Sequence, residues 1–327
     1  MKEADIRDRS AFARYLELVQ QDIATYFPDP SRFQTVACPA CDGSRHSFEF
    51  AKSGFCYVTC AACETLFVNP RPAPELLTAF YRAAPSSRYW IDGFFRPVME
   101  SRREKIFRPR AQYVARQLGR CRSGTVADVG AGFALFLEEL RNLWPEASLV
   151  AIEPSPEMAA IGRAKGFEVE EQTIESLDGH AGRFQLMTAF ELLEHLHEPR
   201  LFLKKAFDSL CPGGYLLATT LSGQGFDIQV LWERSKSVFP PHHLNFFSPG
   251  ALAQLVTRTG FVVEEICTPG ELDWDIVEGA VLKDGMDVDR FWRGLARSGD
   301  AACKRDLQAW LSRHGLSSHM RILARKP

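Results

Sequence analysis

The chain has 327 residues, of which 46% are hydrophobic and 24% are charged, and its formal net charge is −2. This length allows one large domain or two modest ones, and the composition is that of a soluble globular protein. No apolar run approaches the roughly 20 residues that span a bilayer, and the N-terminus lacks the apolar core of a signal peptide. We therefore expect a cytoplasmic protein without a membrane partner, and the near-neutral charge counts against nucleic acid as an obligate partner.

The first segment, residues 1–33, has apolar residues at helical spacing. They predict a helix over residues 9–27, with Ser10 as its N-cap. A helical linker or lid is expected over residues 73–104, where a helix begins at Pro74 and residues 87–90 form a loop.

Between these segments, two Cys-x-x-Cys knuckles stand eighteen residues apart. Thiolates on two such knuckles converge to a tetrahedron that suits Zn²⁺, and because sulfur fills every position the metal is expected to be structural. We predict a zinc ribbon over residues 34–72 with strands near 47–50 and 55–59. A disulfide pair is the competing interpretation, and the absence of secretory features counts against it. The predicted zinc ligands are Cys38, Cys41, Cys60 and Cys63.

A basic run at residues 102–122 contains eight Lys and Arg residues and only Glu104 against them. This run indicates either a solvated helix that leads into the next domain or a site for phosphate groups, and both interpretations stay open. Beyond it, alternating apolar segments and turns predict an α/β domain over residues 105–327. The predicted strands are 125–129, 148–152, 167–171, 185–190, 215–220, 261–267 and 320–324.

Residues 126–132 read as a buried strand and a glycine turn that opens a helix, and the next strand ends in Glu153. This is the nucleotide half-site of a doubly wound sheet. A dinucleotide fingerprint would place a third glycine where Leu135 stands. The charge of Asp128 would repel a pyrophosphate but suits the ammonium and sulfonium of S-adenosylmethionine (SAM), and Glu153 can accept from both ribose hydroxyls. The pattern therefore predicts SAM in preference to NAD.

Four motifs resemble those of class I SAM-dependent methyltransferases in order and spacing. They are Asp128-Val-Gly130-Ala-Gly132-Phe-Ala, Ile-Glu153-Pro-Ser, Phe190-Glu-Leu-Leu-Glu-His195 and Leu210-Cys-Pro-Gly-Gly214. The resemblance covers about residues 105–267 and departs from Gly-x-Gly-x-Gly at Ala134. It implies a doubly wound seven-stranded sheet whose last strand is antiparallel. It also implies SAM contacts by Asp128, Gly130, Ala131, Gly132, Phe133, Glu153, Pro154, Ile174 and Phe190.

Two insertions interrupt this domain. Residues 222–248 are rich in aromatic residues and follow the fifth strand, at the sheet edge where ligands bind in α/β folds, so we expect them to form the acceptor pocket. Residues 269–317 contain two amphipathic segments that predict a helical hairpin, 288–297 and 301–314. The hairpin could cap the pocket, cap the fold or form the face of a homodimer.

Methyl transfer to a hydroxyl needs a base or a metal that deprotonates the acceptor. The candidates are Glu191, Glu194, His195, His242 and His243. The Glu-x-x-Glu-His string resembles the Mg²⁺ site of ubiquinone-pathway O-methyltransferases and small-RNA 2′-O-methyltransferases. That resemblance implies a cation held by Glu191, Glu194, His195 and either His242 or His243. The alternatives are a histidine base, or a Glu194-His195 pair that only orders the loop.

The preferred function is SAM-dependent methylation of a small molecule. The favoured acceptor is a hydroxyl of a sugar, a nucleotide-linked sugar or a secondary metabolite. The arrangement of a zinc ribbon followed by a methyltransferase domain resembles that of enzymes that methylate such acceptors. An rRNA or tRNA methyltransferase is the alternative, but residues 1–50 hold six Lys and Arg against eight Asp and Glu. A non-catalytic SAM-binding scaffold is the third interpretation.

Overall fold

The computed structural model describes residues 2–327, so Met1, the first residue of the predicted 1–33 segment, lies outside them. The chain divides into two compact units. The first, called the ribbon unit, comprises the residues up to Arg96 together with Thr220–Leu252 and Ile266–Arg321. The second, called the sheet unit, comprises Pro97–Thr219, Ala253–Glu265 and Ile322–Pro327.

The strands are β1 (His46–Lys52), β2 (Phe55–Cys60), β3 (Leu66–Val68), β4 (Thr125–Val129), β5 (Ser148–Ile152), β6 (Glu168–Glu170), β7 (Phe184–Phe190), β8 (Leu210–Leu221), β9 (Asn245–Phe246), β10 (Val262–Cys267) and β11 (His319–Arg325). The helices are α1 (Glu3–Ile6), α2 (Arg9–Tyr26), α3 (Pro74–Ala83), α4 (Pro85–Tyr89), α5 (Met99–Arg102), α6 (Arg108–Gln117), α7 (Leu135–Leu143), α8 (Pro156–Ala164), α9 (Pro199–Ser209), α10 (Phe226–Leu231), α11 (Pro249–Arg258), α12 (Asp273–Leu282), α13 (Arg290–Ser298) and α14 (Ala301–Arg313). Within residues 2–327, none of these helices has the length and apolar character that crossing a bilayer requires.

The larger sheet has seven strands in the order β10-β11-β8-β7-β4-β5-β6. β4 is parallel to β5 and β7, and β7 is parallel to β8. Gly213 N–H donates to the Lys326 carbonyl, and Ser222 N–H donates to the Ser318 carbonyl, so β11 runs antiparallel to β8. The mostly apolar sequences of β4 and β7 match their burial on both faces of the sheet. The predicted class I methyltransferase sheet is confirmed.

The smaller sheet has four strands in the order β1-β2-β3-β9. β9 belongs to the insertion at residues 222–248, and it pairs antiparallel with β3. Helix α2 packs against this sheet in a core that includes Tyr15, Tyr57, Phe80 and Phe246. The predicted division placed both insertions in the 105–327 domain, whereas all of their residues belong to the ribbon unit. The first insertion joins it through β9, which completes the four-stranded sheet.

The predicted helical hairpin is present as α13 and α14, and α12 precedes it. A separate core that includes Phe226, Trp274 and Leu311 holds these helices together within the ribbon unit. Phe291 on α13 is exposed.

Two local predictions are wrong. Residues 87–90 were expected as a loop, but Pro85 opens α4 as its first residue, a position where proline is favoured. The N-cap of α2 is Asp8 instead of Ser10, since its carboxylate accepts from the Ala11 N–H at 2.7 Å. The Glu-x-x-Glu-His string forms a turn after β7.

Candidate cofactor, acceptor and metal sites

The glycine turn after β4 adopts the conformation that its sequence requires. Gly130, Gly132 and Ala134 have φ values of +71°, +53° and +54°, so each lies in the left-handed region. Glycine enters this region without steric cost, whereas Ala134 does so with its side chain buried at the N-cap of α7. Alanine therefore takes the backbone conformation that the third glycine of the common motif would take.

Glu153 lies at the carboxyl end of β5 and is buried. Its carboxylate accepts from the Gly132 N–H at 2.8 Å and from the Ser155 N–H at 2.9 Å. Burial raises the pKa of this carboxyl. The two N–H donors fix its orientation, and each carboxylate oxygen keeps a lone pair that can accept from a ribose hydroxyl. The Gly132 N–H, which a phosphate cradle would direct at its ligand, donates to a carboxylate here.

Asp128 is 3% exposed, near the end of β4. The Thr188 hydroxyl on β7 donates to its Oδ1 at 2.6 Å. Burial raises the pKa of Asp128 to about 7, and the Thr188 hydrogen bond and the Arg110 guanidinium oppose this shift only in part. A buried carboxyl of this kind is stabilised in its charged form by a nearby cation. The site therefore suits an ammonium or a sulfonium and disfavours a phosphate.

The other predicted SAM contacts belong to the same unit. Ala131, Phe133 and Ile174 are buried, Phe190 is half-buried and Pro154 is exposed. The Arg110 guanidinium lies 4.6 Å from the centre of the Phe190 ring. Their contact with the cofactor stays a prediction.

Glu191 follows β7 in a left-handed conformation with φ of +52°. Its Oε1 accepts from Arg110 Nη2 at 2.8 Å and from the Thr219 hydroxyl at 2.6 Å. Strained backbone of this kind is concentrated at functional sites. No local sequence pattern indicates that Arg110 and Thr219 are partners of Glu191, although Arg110 belongs to the basic run. Glu194 is buried and His195 is half-buried in the turn that follows.

Other arginines of the basic run pair with carboxylates of α7. Arg103 contacts Glu138 at 2.7 Å and Glu139 at 3.2 Å, and Arg108 contacts Glu139 at 2.9 Å. These partners lie more than thirty residues away along the chain. Together with the Arg110–Glu191 pair, these contacts involve three of the eight basic side chains of the run, so the segment is less suited to phosphate groups than its sequence suggests.

The two adjacent histidines of the insertion have different environments. His242 is buried, its Nε2 lies 3.0 Å from the Tyr15 hydroxyl, and its ring stacks on Phe239. Burial lowers the pKa of His242 to about 3, so this side chain is neutral and its surroundings favour a packing role. His243 is half-buried, and its Nδ1 lies 2.6 Å from the Ser237 carbonyl oxygen. A carbonyl only accepts, so the neutral ring carries its proton on Nδ1 and its lone pair on Nε2.

The four predicted zinc ligands converge. Their sulfur atoms all lie within 4.8 Å of one another, and the Cys38–Cys63 and Cys41–Cys60 pairs are 3.5 Å apart. Four sulfurs at about 2.3 Å from a tetrahedral zinc would be separated by roughly 3.8 Å, so the donor set fits this ion. None of the nine cysteines, all of which lie within residues 2–327, forms a disulfide bond, in contrast to the disulfide interpretation. Cys56 lies outside the cluster.

Comparison with known proteins agrees with this geometry. The profile of a family described as "Methyltransferase domain" matches residues 99–266. The chain is 28% identical over 198 residues to a ubiquinone biosynthesis O-methyltransferase of Xanthomonas axonopodis pv. citri, covering 56% of this chain and 80% of that protein. It is 26% identical over 170 residues to the Escherichia coli protein of that name, covering 50% and 67%.

Among solved structures, the chain is similar to geranyl diphosphate methyltransferase in complex with SAM. The TM-score is 0.50 at 11% identity, with 71% of this chain and 90% of the other covered. This similarity shows the fold alone. The family match covers more than half of the chain and contains the glycine turn, Asp128 and Glu153. The chain belongs to the methyltransferase-domain family and is a SAM-dependent methyltransferase.

Proposed function

We propose that this enzyme transfers the methyl group of SAM to a hydroxyl of a small molecule, with a sugar, a nucleotide-linked sugar or a secondary metabolite as the acceptor class. The observation that carries the cofactor assignment is the pair of buried carboxylates, Asp128 and Glu153, at the ends of neighbouring strands. The names of the relatives support an oxygen acceptor. Within residues 2–50, the excess of acidic over basic residues supports a small molecule over RNA.

In this proposal Glu153 binds the ribose hydroxyls of SAM and Asp128 neutralises the positive charge of the cofactor. When bound, SAM supplies an electrophilic methyl group on a sulfonium. The acceptor oxygen forms the new bond to carbon as the carbon–sulfur bond breaks, and the hydroxyl proton goes to a base. Holding the two reactants in line supplies much of the acceleration.

We assign the base to His243, because its Nδ1–H is held by the Ser237 carbonyl and its Nε2 carries the lone pair. His195 is the second candidate. A cation held by Glu191, Glu194, His195 and His243 stays a prediction. The Arg110 and Thr219 hydrogen bonds to the Glu191 carboxylate count against a metal role for that residue.

We also propose that Cys38, Cys41, Cys60 and Cys63 hold a structural Zn²⁺. The short sulfur–sulfur distances support it, and burial raises the pKa of the Cys38 thiol, so the ion would stabilise thiolates that the fold otherwise disfavours. Such a site requires reduced cysteines, in keeping with the cytoplasmic location predicted above.

The test uses SAM with a tritiated methyl group, incubated separately with a low-molecular-mass metabolite extract and with total RNA. The proposal expects label in the small-molecule fraction, and in a product that survives treatment with ribonuclease. Label confined to RNA would support the alternative function. Tight SAM binding without transfer to either fraction would support a scaffold.

A further inference from the structure

The insertion at residues 222–248 contributes β9 to the four-stranded sheet of the ribbon unit. Asn245 and Phe246 form its fourth strand, in register with Phe67 and Leu66 of β3. The Val68 N–H donates to the Leu244 carbonyl at 2.9 Å. Leu244, which follows His243, is therefore held by a backbone hydrogen bond to β3.

Tyr57 of β2 holds His243 directly. Its ring is fully buried and stacks on Phe50, with 5.0 Å between the ring centres. Its hydroxyl donates to the His243 carbonyl oxygen at 2.9 Å. Tyr57 stands three residues before the predicted zinc ligand Cys60. This contact links the metal knuckle to the backbone of the histidine through one strand.

Arg71 fixes the next position of the same segment. Its side chain is 1% exposed. Its Nε donates to the Val68 carbonyl at 3.0 Å and its Nη2 donates to Asn245 Oδ1 at 3.2 Å. Burying a guanidinium costs free energy unless it makes such hydrogen bonds. A shift in the register of β9 would break the hydrogen bond between Arg71 and Asn245, and is therefore unfavourable.

The far end of the segment is attached to the knuckle itself. The Ser248 hydroxyl donates to the backbone carbonyl of Cys63 at 3.2 Å. Cys63 is one of the four predicted zinc ligands. Residues 243–248 are thus held by the ribbon at both ends, by Tyr57 and by Cys63.

We propose that the zinc ribbon is the positioning device for His243, with Tyr57 and Arg71 as positioning residues. The ribbon holds the backbone of residues 243–248, and this keeps the His243 Nδ1–H against the Ser237 carbonyl, so that Nε2 retains the lone pair. The inference rests on the proposed function, since it gives the ribbon a role in the reaction through the proposed base. It also accounts for a ribbon in an enzyme whose acceptor is a small molecule.

The test is the ¹⁵N spectrum of the histidine rings in the full-length protein, because ring nitrogen shifts distinguish protonated from unprotonated nitrogen. The His243 signals are assigned as those that disappear in His243→Gln. The zinc-loaded wild type is expected to show the Nδ1–H form of His243. Tyr57→Phe should raise the population of the other tautomer roughly fivefold, the factor that corresponds to the loss of one hydrogen bond. Tyr26→Phe removes the same atom elsewhere in the ribbon unit and should leave the spectrum unchanged.

Removal of zinc from the wild type by a chelator tests the same link without a substitution, and it should raise the minor tautomer at least as much as Tyr57→Phe. An unchanged His243 spectrum after metal removal and in Tyr57→Phe would overturn the positioning role. The spectrum needs no acceptor, so this failure is distinct from a failure of the proposed function. A failure of the proposed function would appear as the absence of label in the small-molecule fraction, whereas full methyl transfer by His243→Gln would contradict the assignment of His243 as the base.

Discussion

Asp128 gives the sharpest prediction, because its pKa of about 7 lies within the range where SAM binding can be measured. Burial holds this carboxyl partly protonated in the unbound enzyme. The α-ammonium of SAM, with an ordinary pKa of about 7.7 to 8.0, remains charged below pH 7. The cation binds best to the ionised carboxylate, so binding should release the proton from Asp128. Affinity for SAM should therefore fall as the pH decreases through 7.

The size of the effect follows from the ionised fraction of Asp128. The apparent Kd rises by the inverse of that fraction. For a pKa of about 7, the Kd is about twofold above its high-pH limit at pH 7 and about 11-fold above it at pH 6. The second factor corresponds to about 1.4 kcal/mol. At pH 6, binding should release about 0.9 proton per SAM molecule.

The assay is calorimetric titration with SAM between about pH 6 and 7.5, in two buffers of different ionisation enthalpy, so that released protons are counted. Asp128→Asn keeps the shape of the side chain and removes its titration, and its affinity should be weaker and independent of pH over this range. Adenosine, which carries no cation, should show no loss of affinity at low pH. An equal pH dependence in the wild type and in Asp128→Asn would refute the reasoning.

Three further outcomes are expected. Cys41→Ser should lose the bound zinc and have a lower Tm than the wild type. The matched Cys56→Ser should keep the zinc and the wild-type Tm. Zinc retention by Cys41→Ser on elemental analysis would contradict the ribbon site. Asp227 is fully buried, and burial and its neighbour Asp273 raise the pKa of its carboxyl, so the folded state holds a proton that the unfolded chain releases. The free energy of unfolding should therefore fall as the pH rises above the ordinary carboxyl range. Asp227→Asn should reduce the difference between the free energies of unfolding measured in urea at pH 5.5 and 8. An equal difference in both proteins would exclude this role. Turnover should survive a chelator that leaves the zinc in place, since the Glu191 carboxylate is already hydrogen-bonded; loss of activity that Mg²⁺ restores would instead establish a catalytic cation.

The elements that could be predicted are those whose signal is local. β4, β5 and β7 are mostly apolar segments bounded by turns, and the two cysteine knuckles have the spacing typical of a four-cysteine zinc site. The Asp128 and Glu153 positions follow from the strand–turn–helix pattern around the glycines. These features required no knowledge of distant contacts.

The features that were missed depend on contacts far apart in the sequence. β3 and β9 have only three and two residues, and their pairing joins segments almost 180 residues apart, so no periodic pattern reveals them. The burial of His242 follows from the same pairing, because the insertion packs into the ribbon core. The basic run looked unpaired because its carboxylate partners are on α7.

The cofactor assignment depends on two buried carboxylates, which favour a sulfonium donor over a phosphorylated one. Calorimetric titration of the zinc-loaded enzyme with SAM and then with NAD at pH 7.5 tests it most directly. We expect one SAM site per chain, competition by S-adenosylhomocysteine and no heat of binding from NAD. Binding of NAD with no response to SAM would contradict it.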